Sequence, residues 1–158
     1  MKNLPIGIQT FRKIIEGNYI YIDKTRFIYN LIHHSTETYF LSRPRRFGKS
    51  LLLSTLEEIF QGNKELFQGL WLYDSDYAWQ KFPIIRLDFS TQRSETPEQF
   101  KTFLIEKVDS IAQKNNISLT KLEYYSKFEE LIHKLHESFG KVVILIDEYD
   151  KPIIDWLE

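Results

Sequence analysis

Apolar residues recur at helical spacing in four segments of the chain, and this spacing predicts amphipathic helices. The segments are residues 24–34, residues 50–61, the stretch that opens at Thr96, and residues 123–139. Boundary signals agree with these assignments, since Asp23 and Thr96 are residue types that cap helix starts and Gly140 is the type that ends helices. The pattern therefore predicts a chain rich in helices.

Short runs of β-forming residues separate the predicted helices. They cover residues 19–22, 38–41, 83–89 and 142–146. The last run, Val-Val-Ile-Leu-Ile, is apolar without interruption, which is typical of a strand buried on both faces of a sheet. Strands that alternate with helices predict an α/β fold with a parallel sheet. We expect one domain over residues 1–158, with an N-terminal segment (1–37) ahead of a core (38–158).

Composition narrows the class of protein without identifying its chemistry. Hydrophobic residues make up 42% of the chain and charged residues 27%, which excludes a disordered tail and a low-complexity fibre. The formal net charge of -1 gives no overall attraction to nucleic acid or to anionic membranes. Cysteine is absent, so disulfides and thiolate chemistry are excluded. Because no apolar run is long enough to span a bilayer, we expect a cytoplasmic protein without a membrane partner.

The first candidate motif is Gly48-Lys49-Ser50, which lies between the predicted strand 38–41 and the predicted helix 50–61. The amides at a helix start and the helix dipole attract phosphate groups. A lysine at this place can contact the outer phosphates of a nucleotide, and a serine hydroxyl can bind Mg²⁺. The usual phosphate-loop pattern has a glycine five residues before Gly48, where this chain has Arg43. The triplet alone is therefore equally compatible with a plain helix cap.

The second candidate motif is a pair of acids, Asp147 and Glu148, that directly follows the predicted strand 142–146. Open α/β sheets bind ligands at the carboxyl ends of their parallel strands. At that place Asp147 is predicted to hold Mg²⁺ through the metal's water shell. Glu148 is predicted to position the water that attacks a γ-phosphate. The alternative is that both are loop acids that end a strand, but the two half-motifs together favour a nucleotide site.

Three stretches resemble the AAA-ATPase-like N-terminal domain family of bacterial proteins. They are residues 18–25 (NYIYIDKT), 43–51 (RPRRFGKSL) and 145–153 (LIDEYDKPI), and the resemblance extends over nearly the whole chain. The family's phosphate loop has the form Arg-Pro-Arg-Arg-Phe-Gly-Lys-Ser, so Arg43 fits the family. The resemblance implies a partial P-loop NTPase fold of the ASCE or AAA-like kind. Such a fold has three layers around a parallel sheet, and here it would be truncated after the Walker B strand.

The resemblance also implies the residues of the site and their cofactors, ATP and Mg²⁺. The ATP-binding loop would comprise Arg45, Arg46, Phe47, Gly48, Lys49, Ser50 and Leu51. Ser50 and Asp147 would bind Mg²⁺, and Glu148 would be the catalytic residue of an ATPase. Longer family proteins commonly continue into the rest of the ATPase core and a nuclease-like domain of the PD-(D/E)XK type. Since the chain stops eleven residues after Asp147, we expect it alone to show negligible ATP turnover and to self-associate or need a partner.

Other interpretations stay open at this point. The early end is also compatible with a module that binds a nucleotide or a partner without hydrolysis. Arg43, Arg45 and Arg46 form a basic cluster that could contact nucleic acid, although it lacks interleaved aromatic residues. His133 and His136 lie three residues apart on a predicted helix, a spacing that suits metal ligands but is more typical of a solvated helix face.

Overall fold

The computed structural model describes residues 2–33, 38–42, 44, 46–90 and 96–151. The chain divides into two compact units, Met1–Lys81 and Phe82–Glu158. The first unit contains helices α1 (Phe11–Glu16), α2 (Thr25–His33) and α3 (Lys49–Phe60), followed by two 3₁₀ helices, Lys64–Phe67 and Trp71–Asp74. The second contains strand β1 (Ile84–Asp88), helices α4 (Pro97–Lys114) and α5 (Tyr124–Phe139), and strand β2 (Val143–Asp147). The single domain expected over residues 1–158 stays a prediction.

Helix α3 lies in the core of the first unit, and α1 packs against it. Ile59 of α3, Phe11 of α1 and Phe67 of the first 3₁₀ helix are all fully buried. The Phe11 and Phe67 rings stack with their centroids 4.6 Å apart. Each fully buried side chain of this kind contributes about 1.5–3 kcal/mol. Apolar packing therefore holds these three elements together.

Polar contacts set the orientation of α1 on α3. The Ser54 hydroxyl of α3 accepts a 3.0 Å hydrogen bond from the Phe11 amide, the first amide of α1. Arg12 donates from Nε and Nη2 to the two carboxylate oxygens of Glu58, at 3.0 and 2.7 Å. Glu58 is buried and also accepts a 2.6 Å hydrogen bond from Asn63. Because a guanidinium fork matches a carboxylate in shape, this pair fixes geometry as well as adding attraction.

Asp23 joins the start of α2 to the second 3₁₀ helix. Its Oδ1 accepts hydrogen bonds from the amide and the hydroxyl of Thr25 at 2.8 and 2.7 Å, and its Oδ2 accepts one from the Trp71 amide at 2.7 Å. The buried Thr25 hydroxyl in turn accepts a 3.1 Å hydrogen bond from the Leu72 amide. Partial burial raises the pKa of Asp23, but its three hydrogen bonds outweigh burial and hold the pKa below the ordinary value. Asp23 therefore satisfies the first amide of α2, as the sequence predicted, and also fastens a second element.

The second unit is built on a parallel pair of strands. β1 and β2 are in register from Ile84 opposite Val143 to Asp88 opposite Asp147. A parallel pair needs a long crossover connection, and α4 and α5 provide it. One face of β1 and the two helices form the core, which consists of Ile85, Leu87, Phe89, Val108, Ala112, Leu131 and Leu135. The predicted α/β class and the parallel sheet are thus confirmed, while the three-layer P-loop arrangement stays a prediction.

Two of the predicted strands are wrong. Residues 38–42 are not in a strand, and residues 19–22 contribute only an isolated bridge between Asn3 and Tyr19. In the first of these segments the Tyr39 hydroxyl donates a 2.5 Å hydrogen bond to the Leu31 carbonyl of α2, and Phe40 is 70% exposed. β-propensity stabilises a strand only where neighbouring strands and side chains complete the sheet surface. This segment contacts a helix instead.

The prediction that residues 142–146 are buried on both faces is also wrong. Leu145 is buried, whereas Ile144 and Ile146 on the opposite face are 41% and 45% exposed. The register places them on the same sheet face as Ile85 and Leu87. The core that α4 and α5 form includes Ile85 and Leu87 of β1 but neither of the two β2 isoleucines. An apolar strip of β2 is therefore left at the surface.

Among the described residues, no helix combines the length and the apolarity that a bilayer crossing requires.

Asp23→Asn tests the contact between α2 and the second 3₁₀ helix. We expect it to lower the free energy of unfolding by about 1 kcal/mol at neutral pH, because an amide is a weaker acceptor than a carboxylate. Since the folded-state pKa of Asp23 is depressed, its contribution is complete above the ordinary pKa of about 3.9 and is lost as the pH falls through the folded value. Urea unfolding from about pH 7 to about pH 2 measures this.

The control for loss of charge in the same unit is Asp74→Asn, which alters an exposed residue. A stability difference between parent and Asp23→Asn that stays constant down to about pH 2 would show that the carboxylate charge does not stabilise this contact.

Candidate functional site

The residues predicted to bind phosphate form a turn at the start of α3. Arg46 and Gly48 have positive φ angles of 67° and 77°, whereas Phe47 and Lys49 do not. Backbone that alternates in this way directs successive amides to one side and forms a concavity that suits anions. Apart from Gly48, its chain neighbours and the adjacent backbone of α3, no atom of the described residues lies within 4 Å of the place where a Gly48 Cβ would stand, so glycine is favoured here by its backbone angle and not by lack of space.

The start of helix α3 has no capping side chain in the part of the chain that the structure describes. Gly48 occupies the N-cap position, and its carbonyl accepts a 2.9 Å hydrogen bond from the Leu52 amide. In the described residues no side chain caps this helix start, and its first turn contains no acid. The first amides of a helix need side chains, water or a ligand as partners. Lys49 and Ser50 lie half-buried in that first turn, so amides, a cation and a hydroxyl occur together there.

The other predicted loop residues flank this turn. Phe47 is 63% exposed, and Leu51 is half-buried, with its carbonyl accepting a 2.8 Å hydrogen bond from the Thr55 hydroxyl. Arg45 lies outside the described residues, as does Arg43. The structure thus brings residues 46–51 together as one turn and the start of one helix.

Asp147, the last residue of β2, is only 3% exposed. Arg86 on β1 donates from Nη2 to its Oδ2 at 3.2 Å. The other carboxylate oxygen, Oδ1, is buried and has no hydrogen-bond partner among the described residues. A buried polar atom left without a partner costs about 1–3 kcal/mol. The carboxylate therefore has one oxygen in an ion pair and one that can still accept a hydrogen bond.

Glu148 follows directly and ends the extended backbone of β2. It is half-buried, with a φ angle of 50°, in the left-handed region that non-glycine residues seldom adopt. Its carbonyl accepts a 3.1 Å hydrogen bond from the Lys151 amide. Such strained backbone is concentrated at functional sites. Tyr149 and Asp150 are exposed, whereas the two acids that the sequence predicted are buried (Asp147) and half-buried (Glu148).

The two groups of candidate residues belong to different units of the chain. Residues 46–51 lie in the first unit, and Asp147 and Glu148 lie in the second. Each group is held together within its own unit, by the start of α3 in one case and by the end of β2 in the other. A joint site formed by both groups stays a prediction.

The described ranges contain no group of three or more His, Cys, Asp or Glu side chains able to hold a metal ion. His136 Nδ1 lies 2.9 Å from the Gly140 carbonyl oxygen at the end of α5, and His133 is exposed on the same helix. This agrees with the solvated-face interpretation of the two histidines. Magnesium is commonly bound by one or two protein oxygens together with phosphates and water, so Ser50 and Asp147 stay its predicted ligands.

Sequence reasoning missed Arg86, which pairs with Asp147 across the two strands. The available signal was a cation between Ile85 and Leu87, inside an apolar strand. A charged side chain in such a place needs an opposite charge or hydrogen bonds, because burying a charge alone is costly. The identity of its partner depends on the register of β1 and β2, which the sequence pattern does not specify.

Comparison with known proteins agrees with the family that the motifs resemble. Residues 5–158 match the model of a family described as "Predicted AAA-ATPase". A protein of Azotobacter chroococcum mcd 1, described as "Uncharacterized protein in vnfD 5'region", is 46% identical over 157 residues. The match covers 98% of this chain but only 30% of that relative's length. No solved structure matches the chain. Because the family model covers nearly all of the sequence, the chain belongs to this AAA-ATPase-like family.

Proposed function

We propose that the chain is the ATP-binding part of a Mg²⁺-dependent ATPase. The observation that carries the proposal is the turn with left-handed backbone at Arg46 and Gly48, which leads directly into α3 at Lys49. Amides at a helix start, together with a lysine and a serine hydroxyl, suit the phosphates of a nucleotide. Membership of the AAA-ATPase-like family supports the same function.

Several groups of the loop contact the phosphates of the nucleotide, each in a different way. The amides of residues 46–51 donate to phosphate oxygens, and Lys49 supplies a compact positive charge for the β- and γ-phosphates. Arg46 and Arg45 add charge-assisted hydrogen bonds. The absence of an acid in the first turn of α3, as far as the structure describes it, favours an anionic ligand there.

Ser50 and Asp147 are the residues that would hold Mg²⁺. A hydroxyl and a carboxylate are the hard oxygen donors that this ion prefers. The buried Oδ1 of Asp147, which has no partner among the described residues, fits the ion because it can accept a hydrogen bond from a metal-bound water. Bound Mg²⁺ would neutralise negative charge on the phosphates. The Ser50 hydroxyl would bind the ion, and the Asp147 carboxylate would hold its water shell.

Glu148 would hold and polarise the water that attacks the γ-phosphate. A carboxylate accepts a hydrogen bond from water and takes up its proton, which makes the water a better nucleophile. The half-buried position of Glu148 next to Asp147 supports this role. Its strained backbone supports it too, because that conformation fixes where the side chain leaves the strand.

A second candidate function is the binding of a nucleotide or a partner protein without hydrolysis. The observation that favours it is the pair of isoleucines, Ile144 and Ile146, exposed on β2 next to the acidic residues. Exposed aliphatic side chains grouped together are typical of surfaces that contact another protein. The two functions differ in whether the protein hydrolyses the nucleotide that it binds.

Lys49→Ala is expected to weaken Mg-ATP binding by at least about tenfold, since a charge-assisted contact contributes about 1.5–3 kcal/mol. Calorimetric titration of the protein with ATP in the presence of Mg²⁺ measures the affinity. Circular dichroism should show an unchanged fold, because Lys49 is the first residue of α3 and lies outside the buried core. The matched control is Lys13→Ala, which removes an exposed lysine from α1 in the same unit. Equal affinities for the parent and Lys49→Ala would refute the assignment of the phosphate loop.

Glu148→Gln is expected to keep ATP affinity and to lower ATP turnover by about 10²–10⁴-fold in the full-length protein, because an amide cannot accept the proton of the attacking water.

Asp147→Asn should instead raise the Mg²⁺ concentration needed for nucleotide binding. Glu137→Gln, an exposed substitution on α5, is the control for both assays. Turnover by Glu148→Gln at the parent rate would show that Glu148 is a loop acid. The absence of turnover in every form, with ATP bound, would favour the second candidate function.

A further inference from the structure

We propose that Arg86 is a positioning residue for Mg²⁺: it holds one oxygen of Asp147 so that the other faces the metal's water shell. The inference rests on the proposed function and adds to it a residue that none of the motifs includes. Its basis is the 3.2 Å contact between Arg86 Nη2 and Asp147 Oδ2, together with the buried Oδ1, which has no partner in the described part of the chain.

The strand register explains why these two side chains meet. Arg86 lies opposite Leu145, and Asp147 lies two residues further along β2. Side chains two residues apart on a strand point to the same face of the sheet. Arg86 and Asp147 are therefore diagonal neighbours on one face of a parallel pair. Backbone hydrogen bonds of the sheet fix their separation, so the contact does not depend on a flexible loop.

The two carboxylate oxygens of Asp147 have different roles. Oδ2 accepts the charge-assisted hydrogen bond from Arg86, which restricts rotation of the carboxylate about its last bond. Oδ1 is consequently held in one direction and is available to a further donor. Residues that orient a metal-binding group in this way typically change metal affinity about 10–100-fold when they are replaced.

Glu58 shows what a completed arginine-carboxylate pair looks like in the same chain. Both of its oxygens accept hydrogen bonds from Arg12, and Asn63 adds a third. Nothing in that arrangement leaves a buried oxygen for a ligand, and its role is to fix α1 on α3. Asp147 differs from Glu58 in that one of its buried oxygens can still accept a hydrogen bond.

Arg86→Gln tests the proposal, with Arg12→Gln as the matched control because it removes an arginine from another buried carboxylate, that of Glu58. The midpoint of Mg²⁺-dependent ATP binding, measured by calorimetry at fixed ATP, should rise about tenfold in Arg86→Gln and stay unchanged in Arg12→Gln. ATP affinity in excess EDTA should be the same in the parent and Arg86→Gln. Arg86→Lys, which keeps the cation without the planar fork, should recover part of the loss.

If Arg86 had only a structural role, Arg86→Gln would lower the thermal stability of the protein and leave the Mg²⁺ midpoint at the parent value. Combining Arg86→Gln with Asp147→Asn separates the two roles, because the arginine substitution should add nothing to the midpoint once the carboxylate is gone. An unchanged or lower midpoint in Arg86→Gln would overturn this inference but not the proposed function. If the folded parent binds no ATP at any Mg²⁺ concentration, the proposed function fails and the inference fails with it.

Discussion

The backbone conformation of Gly48 determines which amides α3 presents at its start. With a φ angle of 77°, this residue reverses the chain so that the helix begins at once with Lys49. A residue with a Cβ is disfavoured at that angle, so glycine suits this position. The candidate chemistry of the first unit, a lysine, a hydroxyl and amides close together, depends on this one angle. In the same unit α1 packs against α3, and the first 3₁₀ helix packs against α1.

Local sequence signals predicted α2, α3, α4 and α5, because each signal acts over one turn, but they did not predict the short helix α1. Thr96 accepts a 3.2 Å hydrogen bond from the Gln99 amide and starts α4, while Gly140 ends α5. Both β1 and β2 were also predicted, within a residue at either end. The failures involve contacts between one element and another. Residues 38–42 have strong β-propensity, but Tyr39 donates to α2. Propensity alone does not determine which element a segment will contact.

Sequence-based prediction of the candidate site has the same limit, since it does not reveal contacts between elements. Gly48, Lys49, Ser50, Asp147 and Glu148 could be found because each motif is contiguous in sequence and follows a recognisable strand or precedes a helix. Arg86 could not be found in this way. It is 61 residues away from Asp147 in the sequence, and the two side chains meet only because of the register between β1 and β2. The half-exposed side chains of Ile144 and Ile146 were missed for a related reason. An uninterrupted apolar run predicts a strand, but it does not specify how many layers cover that strand.

The hydrogen bond from the Phe11 amide to the Ser54 hydroxyl has a consequence for the order of folding. Helix α1 has six residues, and a helix that short does not persist alone in water. Its first amide is satisfied by a side chain 43 residues away, so α1 gains a stable start only after α3 has formed and the two have met. The amides of α1 should therefore exchange with solvent hydrogen whenever this contact opens, even while α3 stays helical. The stability of α1 thus depends on its contact with α3 more than on its own sequence.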